Sequence, residues 1–131
     1  MMPFEFIDFA QRLAIQPAST PATLRTVTSR AYYGSFHLAK ELLVRLGQPV
    51  TGKHDAHAWL VGSKCDEAHQ AGRLLAELNN ERIKADYDLA DRLAETINIA
   101  RRNVERATDL QNLLKKCETL QPADVVARRR S

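Results

Sequence analysis

From Leu89 to Cys117 an apolar residue returns at every third or fourth position: Leu89, Leu93, Ile97, Ala100, Val104, Ala107, Leu110, Leu114 and Cys117. That period is the α-helical one, and its length predicts an amphipathic helix of about eight turns. Asp88 suits its N-cap, and Asp91 in the first turn complements the helix dipole. A helix with one long apolar stripe buries that stripe against other helices. This segment therefore commits the chain to helix-on-helix packing, and its length leaves room for an overhang that joins a second subunit.

The remaining segments supply the partners. A first helix is expected from Pro3 to Gln16, with Phe6, Phe9 and Leu13 apolar and Phe4 and Ile7 on an adjoining side. Thr20 reads as an N-cap and Pro21 as the first position of a second helix running to Leu46. One row of that helix is Leu24, Val27, Ala31, Ser35, Leu38 and Leu42, and the neighbouring row is Thr28, Tyr32, Phe36, Ala39, Leu43 and Leu46. Gly47 and Pro49 end it. A third, less regular helix is expected over Asp55 to Gln70, with Ala58, Val61, Cys65 and Ala68 inward, Trp59 beside them and a break or kink at Gly72. A fourth follows to about Lys84. Aromatic residues make up 6% of the chain, and neither a strand pattern nor a repeat stands out. The predicted fold is an all-α antiparallel bundle of four to five helices, residues 1–120, with a basic flexible tail over 121–131.

Charge excludes little on its own. The 131 residues hold 19 Lys and Arg against 16 Asp and Glu. Arg128, Arg129 and Arg130 account for the whole excess, so the body is close to neutral and net charge alone does not argue for nucleic acid. Cys65 and Cys117 form no CxxC pair, the opening MMPFEFIDFA has no basic leader region, and no apolar run reaches membrane-spanning length. The expectation is a cytoplasmic protein with two reduced thiols, no membrane association and no cofactor.

The stretch TSRAYYGSFHLAKELL, residues 28–43, holds two strong polar groups inside an apolar helix. Seven residues fall about 20° short of two turns, so Arg30 and His37 share one face, about 10 Å apart along the axis, with Tyr33 and Gly34 between them. That face lies roughly opposite the Leu24/Ala31/Leu38/Leu42 row and also carries Thr26, Glu41 and Val44. Two readings stand. Arg and His on an outer helix face are commonly solvated or hydrogen-bonded structural groups. Alternatively they form a functional pair, and Gly34 marks a point where backbone, ligand or a partner comes close.

SRAYYGSFHLAKELL resembles the signature helix of HEPN domains, which carry Arg, four to six residues, then His. ERIKADYDL resembles the RxKADY segment of a branch of small single-domain HEPN proteins, and GKHDA falls where that branch tends to have a Lys-His pair. The resemblance covers about residues 20–110. It implies a helical bundle that forms a homodimer and cleaves RNA without a metal, with Arg30 and His37 of both subunits meeting in a cleft. In this chain Ala31 follows the arginine, where active members often carry a polar residue. His is suited to taking or giving a proton near neutral pH, and Arg to holding phosphate oxygens as charge develops. The implied role is a toxin or defence ribonuclease leaving a 2′,3′-cyclic phosphate. The alternative is a non-catalytic HEPN module that binds nucleotide or RNA and pairs with a nucleotidyltransferase antitoxin; a purely structural helical adaptor is a third reading.

Around the catalytic pair, Tyr33, Gly34, His54, Arg82 and Lys84 are the candidate substrate contacts, Arg82 and Lys84 as phosphate contacts at the cleft rim. Asp86 and Tyr87 are read instead as a helix-bridging pair. His54, His57, Cys65 and His69 show no strong metal signature, so no metal is assigned, and His54 is a candidate for RNA contact or for capping the third helix. Arg101, Arg102 and Arg106 read as a solvated face.

Overall fold

The computed structural model describes residues 2–14 and 20–129, and for Lys53 and His54 the backbone alone. The described residues form six α-helices: α1 Pro3–Ala14, α2 Pro21–Arg45, α3 Lys53–Val61, α4 Asp66–Tyr87, α5 Ile97–Glu118 and α6 Pro122–Val126. A 3₁₀ turn, Arg92–Glu95, precedes α5. The architecture is the all-α bundle the periodicity predicts.

Both ends of α2 follow from local chemistry. The Thr20 side chain accepts from the Thr23 amide at 3.2 Å and Pro21 takes the first turn. At the other end Gln48 N–H bonds the Leu43 carbonyl at 2.9 Å and Gly47 N–H bonds that of Val44 at 3.0 Å. This Schellman arrangement needs the left-handed φ of +82° that Gly47 adopts. The expected end of α1 at Gln16 lies outside the described residues.

Side-chain pairings fix the helix directions. Gly34 of α2 meets Pro3, Phe6 and Ile7 of α1, whereas Leu24 and Val27 pack with Ala10 and Ala14, so α1 and α2 are antiparallel. Arg106 of α5 pairs with Glu77 of α4 at 3.4 Å. The start of α2 shares a cluster with Ala100 and Val104, and Arg45 at its end pairs with Glu118 at 2.8 Å, so α2 and α5 run parallel along their length. The Asn103 amide, fully buried, donates to Thr28 Oγ1 at 3.1 Å and accepts from Arg106 at 2.8 Å, which satisfies it inside that contact. Tyr32, Leu42, Leu43, Leu60, Leu75, Leu78, Leu110 and Leu114 form the main core.

The third and fourth helices divide elsewhere than expected. The break is at residues 62–65, and Gly72 lies inside α4. A Cβ at Gly72 would stand 2.6 Å from the Val61 amide nitrogen, so glycine there permits the α3–α4 crossing rather than a kink. Ala56 and Leu60 point inward, and Ala58 and Val61 are exposed.

What breaks the helix is the C-terminus. Residues 121–129, expected as flexible tail, form α6 and dock on the α3–α4 junction. Val125 is buried, Lys64 N–H bonds the Ala127 carbonyl and Arg129 N–H that of Gly62, each at 2.7 Å. The Arg128 guanidinium lies 4.5 Å from the Trp59 ring centroid and Arg129 pairs with Asp66 at 3.0 Å. Arg130 lies outside the described residues.

The start of α5 also moves. Asp91 caps the 3₁₀ turn through the Leu93 amide at 3.1 Å, and Thr96 caps α5 itself. Leu89 and Leu93 are 74% and 67% exposed and belong to no core row. The cause is Arg25. This buried residue donates from Nη1 to the carbonyls of Lys84 (3.1 Å), Ala85 (3.0 Å) and Asp88 (3.1 Å). Its Nη2 reaches those of Leu89 (3.4 Å) and Asp91 (2.9 Å), and its Nε pairs with Glu95 at 3.2 Å. The Lys84 carbonyl also accepts the Asp88 amide at 3.0 Å and the Asp88 carbonyl the Asp91 amide at 3.2 Å, so the guanidinium adds a second donor to these two and also collects the carbonyls of Ala85, Leu89 and Asp91 beyond the helical ladder. Replacing Arg25 by Leu is expected to lower stability by about 3–5 kcal/mol, read by chemical denaturation, and Arg25→Lys should restore only part of the loss because an ammonium has three donors instead of five.

Candidate functional site

The two polar groups of α2 emerge as its helical spacing predicts, but the face they share is not open. α1 crosses it at Gly34. A Cβ there would lie 2.8 Å from Ile7 Cγ1, 2.9 Å from Phe6 Cβ and 3.0 Å from the Pro3 carbonyl oxygen. Of the backbone, ligand or partner expected to come close at Gly34, it is backbone of the chain's own first helix that does so, and it buries this candidate substrate contact.

That close crossing delivers Phe6 to the turn between Arg30 and His37. The Arg30 guanidinium carbon is 5.7 Å from the Phe6 ring centroid. The His37 ring stacks on the same Phe6 ring at 6.1 Å with 21° between planes, and meets Phe36 edge-on at 5.2 Å. Among the described residues neither Arg30 nor His37 has a hydrogen bond or an ion pair; their contacts are aromatic. Phe6 had been read only as apolar surface of α1. The available signal was the spread of phenylalanines: at 100° per residue Phe4, Phe6 and Phe9 fall around the helix and outside the buried row of Pro3, Ile7, Ala10 and Ala14, and Phe4 and Phe9 are exposed.

Two concavities take in the two polar groups separately, the first at His37 and the second at Arg30. One, of about 830 Å³, is lined by Phe6, His37, Lys40, Val44 and the Arg45–Glu118 pair. The other, of about 460 Å³, is lined by Arg25, Ser29, Arg30, Tyr33 and Asp86. Tyr33 therefore sits beside Arg30, half-buried, as a candidate contact in that position should.

Arg82 does not reach this surface. It is 2% exposed, and its guanidinium lies 5.2 Å from the Tyr32 ring, 5.8 Å from Tyr33 and 5.8 Å from Tyr87. It donates to Asn79 at 2.9 Å and lies 3.8 Å from Asp86, which also accepts from Ser29 of α2 at 3.4 Å. Arg82 thus holds α4 against the tyrosines of α2, and its burial corrects the rim position expected for it. Asp86 bridges the two helices. Lys84 is half exposed and pairs with Glu81 at 3.7 Å. His54 lies at the start of α3, but its side chain is outside the described residues. Among the described residues no group of three or more His, Cys, Asp or Glu is placed to hold a metal ion.

Burial raises the Tyr32 hydroxyl to about 12, against a smaller opposing effect of Arg82, and its oxygen has no hydrogen-bond partner. Burial, with Cys65 beside it, likewise raises the Cys117 thiol to about 12. No family model, no curated protein and no solved structure matches this chain.

Two predictions follow from this packing. Gly34→Ala gains about 1 kcal/mol of helix propensity but forces α1 outward at about 1–3 kcal/mol. The backbone carbonyl of Pro3 cannot rotate away, so a net loss of stability is expected, read as a lower melting temperature. The second concerns alkaline pH. Unfolded chains release the tyrosine proton near 10 and the thiol proton near 9, whereas both groups hold theirs to about 12 in the fold. The native state binds more protons in that window, so stability falls as pH rises from 9 to 12, by about 1.4 kcal/mol per pH unit for each group titrating. Tyr32→Phe should flatten the part of the loss above pH 10 in denaturant titrations.

Proposed function

We propose that the chain is a metal-independent endoribonuclease of HEPN type, acting as a homodimer in a toxin or defence role in the cytoplasm. One observation carries the reading: Arg30 and His37 reach the surface uncommitted, in a body whose neighbouring arginines are spoken for. Arg25 is saturated by carbonyls, Arg82 is caged and Arg45 is paired. A guanidinium and an imidazole left free of partners on one helix face suit phosphate binding and proton transfer. The resemblance of residues 28–43 to the HEPN signature helix supports the same assignment.

RNA carries its own nucleophile. The 2′-hydroxyl attacks the adjacent phosphorus, and the bond to the 5′-oxygen breaks. One His37 takes the 2′-hydroxyl proton, and the His37 of a second copy gives a proton to the departing 5′-oxygen. Arg30 holds the non-bridging oxygens as negative charge grows. The products are a 2′,3′-cyclic phosphate and a 5′-hydroxyl. Tyr33 stands beside Arg30 as a surface for a base.

A second reading has its own observation. Ala31 is wholly buried, so the position after Arg30 adds no polar group to the face. A binding module paired with a nucleotidyltransferase antitoxin would need only the cationic and aromatic groups that are present.

The deciding experiment incubates the purified chain with labelled RNA in EDTA beside a His37→Ala variant. Cleavage that survives chelation and falls by about 10²- to 10⁴-fold in the variant is expected. Failure of the wild type to cleave any of a range of RNAs would remove the catalytic reading; binding that still weakens on Arg30→Ala would then leave the second one.

A further inference from the structure

Among the described residues Arg30 has no hydrogen bond or ion pair, and the ring it lies against is Phe6. His37 has two ring contacts, and the Phe6 stack is the one that comes from another helix. Arginine has about 2 kcal/mol of rotamer freedom to lose when fixed, and an exposed helix position does not fix it. Something else must hold the pair at a set separation if the two are to act on one group. The aromatic face attracts both a guanidinium and an imidazolium through its quadrupole, and it contributes no hydrogen bond that would compete with a substrate. A carboxylate in the same place would also hold both groups, but it would cancel the charge needed for phosphate.

The backbone is built for this ring. Gly34 stands on α2 midway between Arg30 and His37, and its missing Cβ is the space that Phe6 Cβ and the Pro3 carbonyl occupy. Ile7, buried beside it, anchors α1 at the same crossing. The ring therefore enters from a packed helix, not from a loop, and positions set by packed helices are held more tightly.

We propose that Phe6 is the positioning residue of this site: a ring supplied by α1 that holds the Arg30 guanidinium and the His37 imidazole on either side of one turn of α2. The proposal rests on the ribonuclease reading for its kinetic consequence but not for its geometry. Phe6 touches no reacting atom and acts through its two neighbours. Leucine in its place keeps apolar bulk against Gly34 and Ile7 but offers no π face; tyrosine keeps the ring.

The test uses the full chain with Phe6→Leu and Phe6→Tyr, each checked for folding by circular dichroism. With RNA as substrate, Phe6→Leu should lower kcat on the order of 10- to 100-fold, the scale of a misplaced catalytic group, and leave KM within about threefold. Phe6→Tyr should recover most of the rate. NMR supplies a readout independent of activity. The ring current of Phe6 should shift the side-chain protons of Arg30 and His37 in the wild type and in Phe6→Tyr, and the shifts should vanish in Phe6→Leu. Full activity in Phe6→Leu, or equal losses in the leucine and tyrosine variants, would overturn the proposal. If the wild type cleaves no RNA, the ribonuclease reading fails alone, and the ring-current shifts decide whether Phe6 holds the pair.

Discussion

One guanidinium organises the far end of this bundle. Arg25 leaves α2 at a level where aliphatic neighbours would suffice for packing, and it meets the open end of α4 there. Three carbonyls of that end and two of the following loop converge on it, and Glu95 neutralises it. Two of them also have backbone donors, from the Asp88 and Asp91 amides, but the buried Ala85 carbonyl at the end of α4 depends on the guanidinium. With it, α4 can stop against α2, the chain can reverse through the 3₁₀ turn, and α5 can begin beside the start of α2. The bond from Ser29 to Asp86 and the stack of Arg82 on Tyr32 and Tyr33 lie along the same α2–α4 seam, so the clamp at its end also fixes the floor beneath Arg30.

Small residues do the complementary work at the helix crossings. Gly34 admits α1 and Gly72 admits α3, each to a separation that a methyl group would forbid. Both glycines cost helix propensity of about 1 kcal/mol, and in both cases the return is contact between backbones. At Gly34 the consequence reaches the surface, because the helix admitted there carries Phe6. On the face of α2 that spacing identifies as non-core, Phe6 lines the concavity at His37, and a separate concavity opens at Arg30.

What could be read from the residues follows from how local each cause is. The rows of α2 and α5, the Thr20 cap and the Gly47 stop depend on neighbours within a few positions, and they lie where periodicity and capping chemistry put them. The division between α3 and α4 depends on residues 125–129, which pair with residues 62–66 from more than sixty positions away; a run of arginines at a terminus gives no sign of such a partner. The early start expected for α5 counted Leu89 and Leu93 as core, because their spacing is right. Their exposure results from Arg25 holding the carbonyls of Asp88, Leu89 and Asp91, again a contact some sixty residues away in sequence. Within the site, the common face of Arg30 and His37 was legible because it is a property of one helix, whereas the ring between them was not, because it belongs to another.

Three arginines near that seam show why residue type alone does not locate a site. Arg25 meets six acceptors and is spent on structure. Arg82 is expected from the sequence as a phosphate contact, yet three tyrosine rings and its burial turn it into a strut. Arg30 has the same charge and donors, and among the described residues no acceptor bonds it. A phosphate competes for Arg25 or Arg82 only by first displacing the groups that hold two helices together, and the donors of Arg30 are free at no such cost. The aromatic ring under Arg30 sharpens the difference, since it restrains the side chain while leaving every N–H available. Chemistry on this chain is therefore expected where a cation is held without being neutralised, and on α2 that condition is met at Arg30 and, one ring away, at His37.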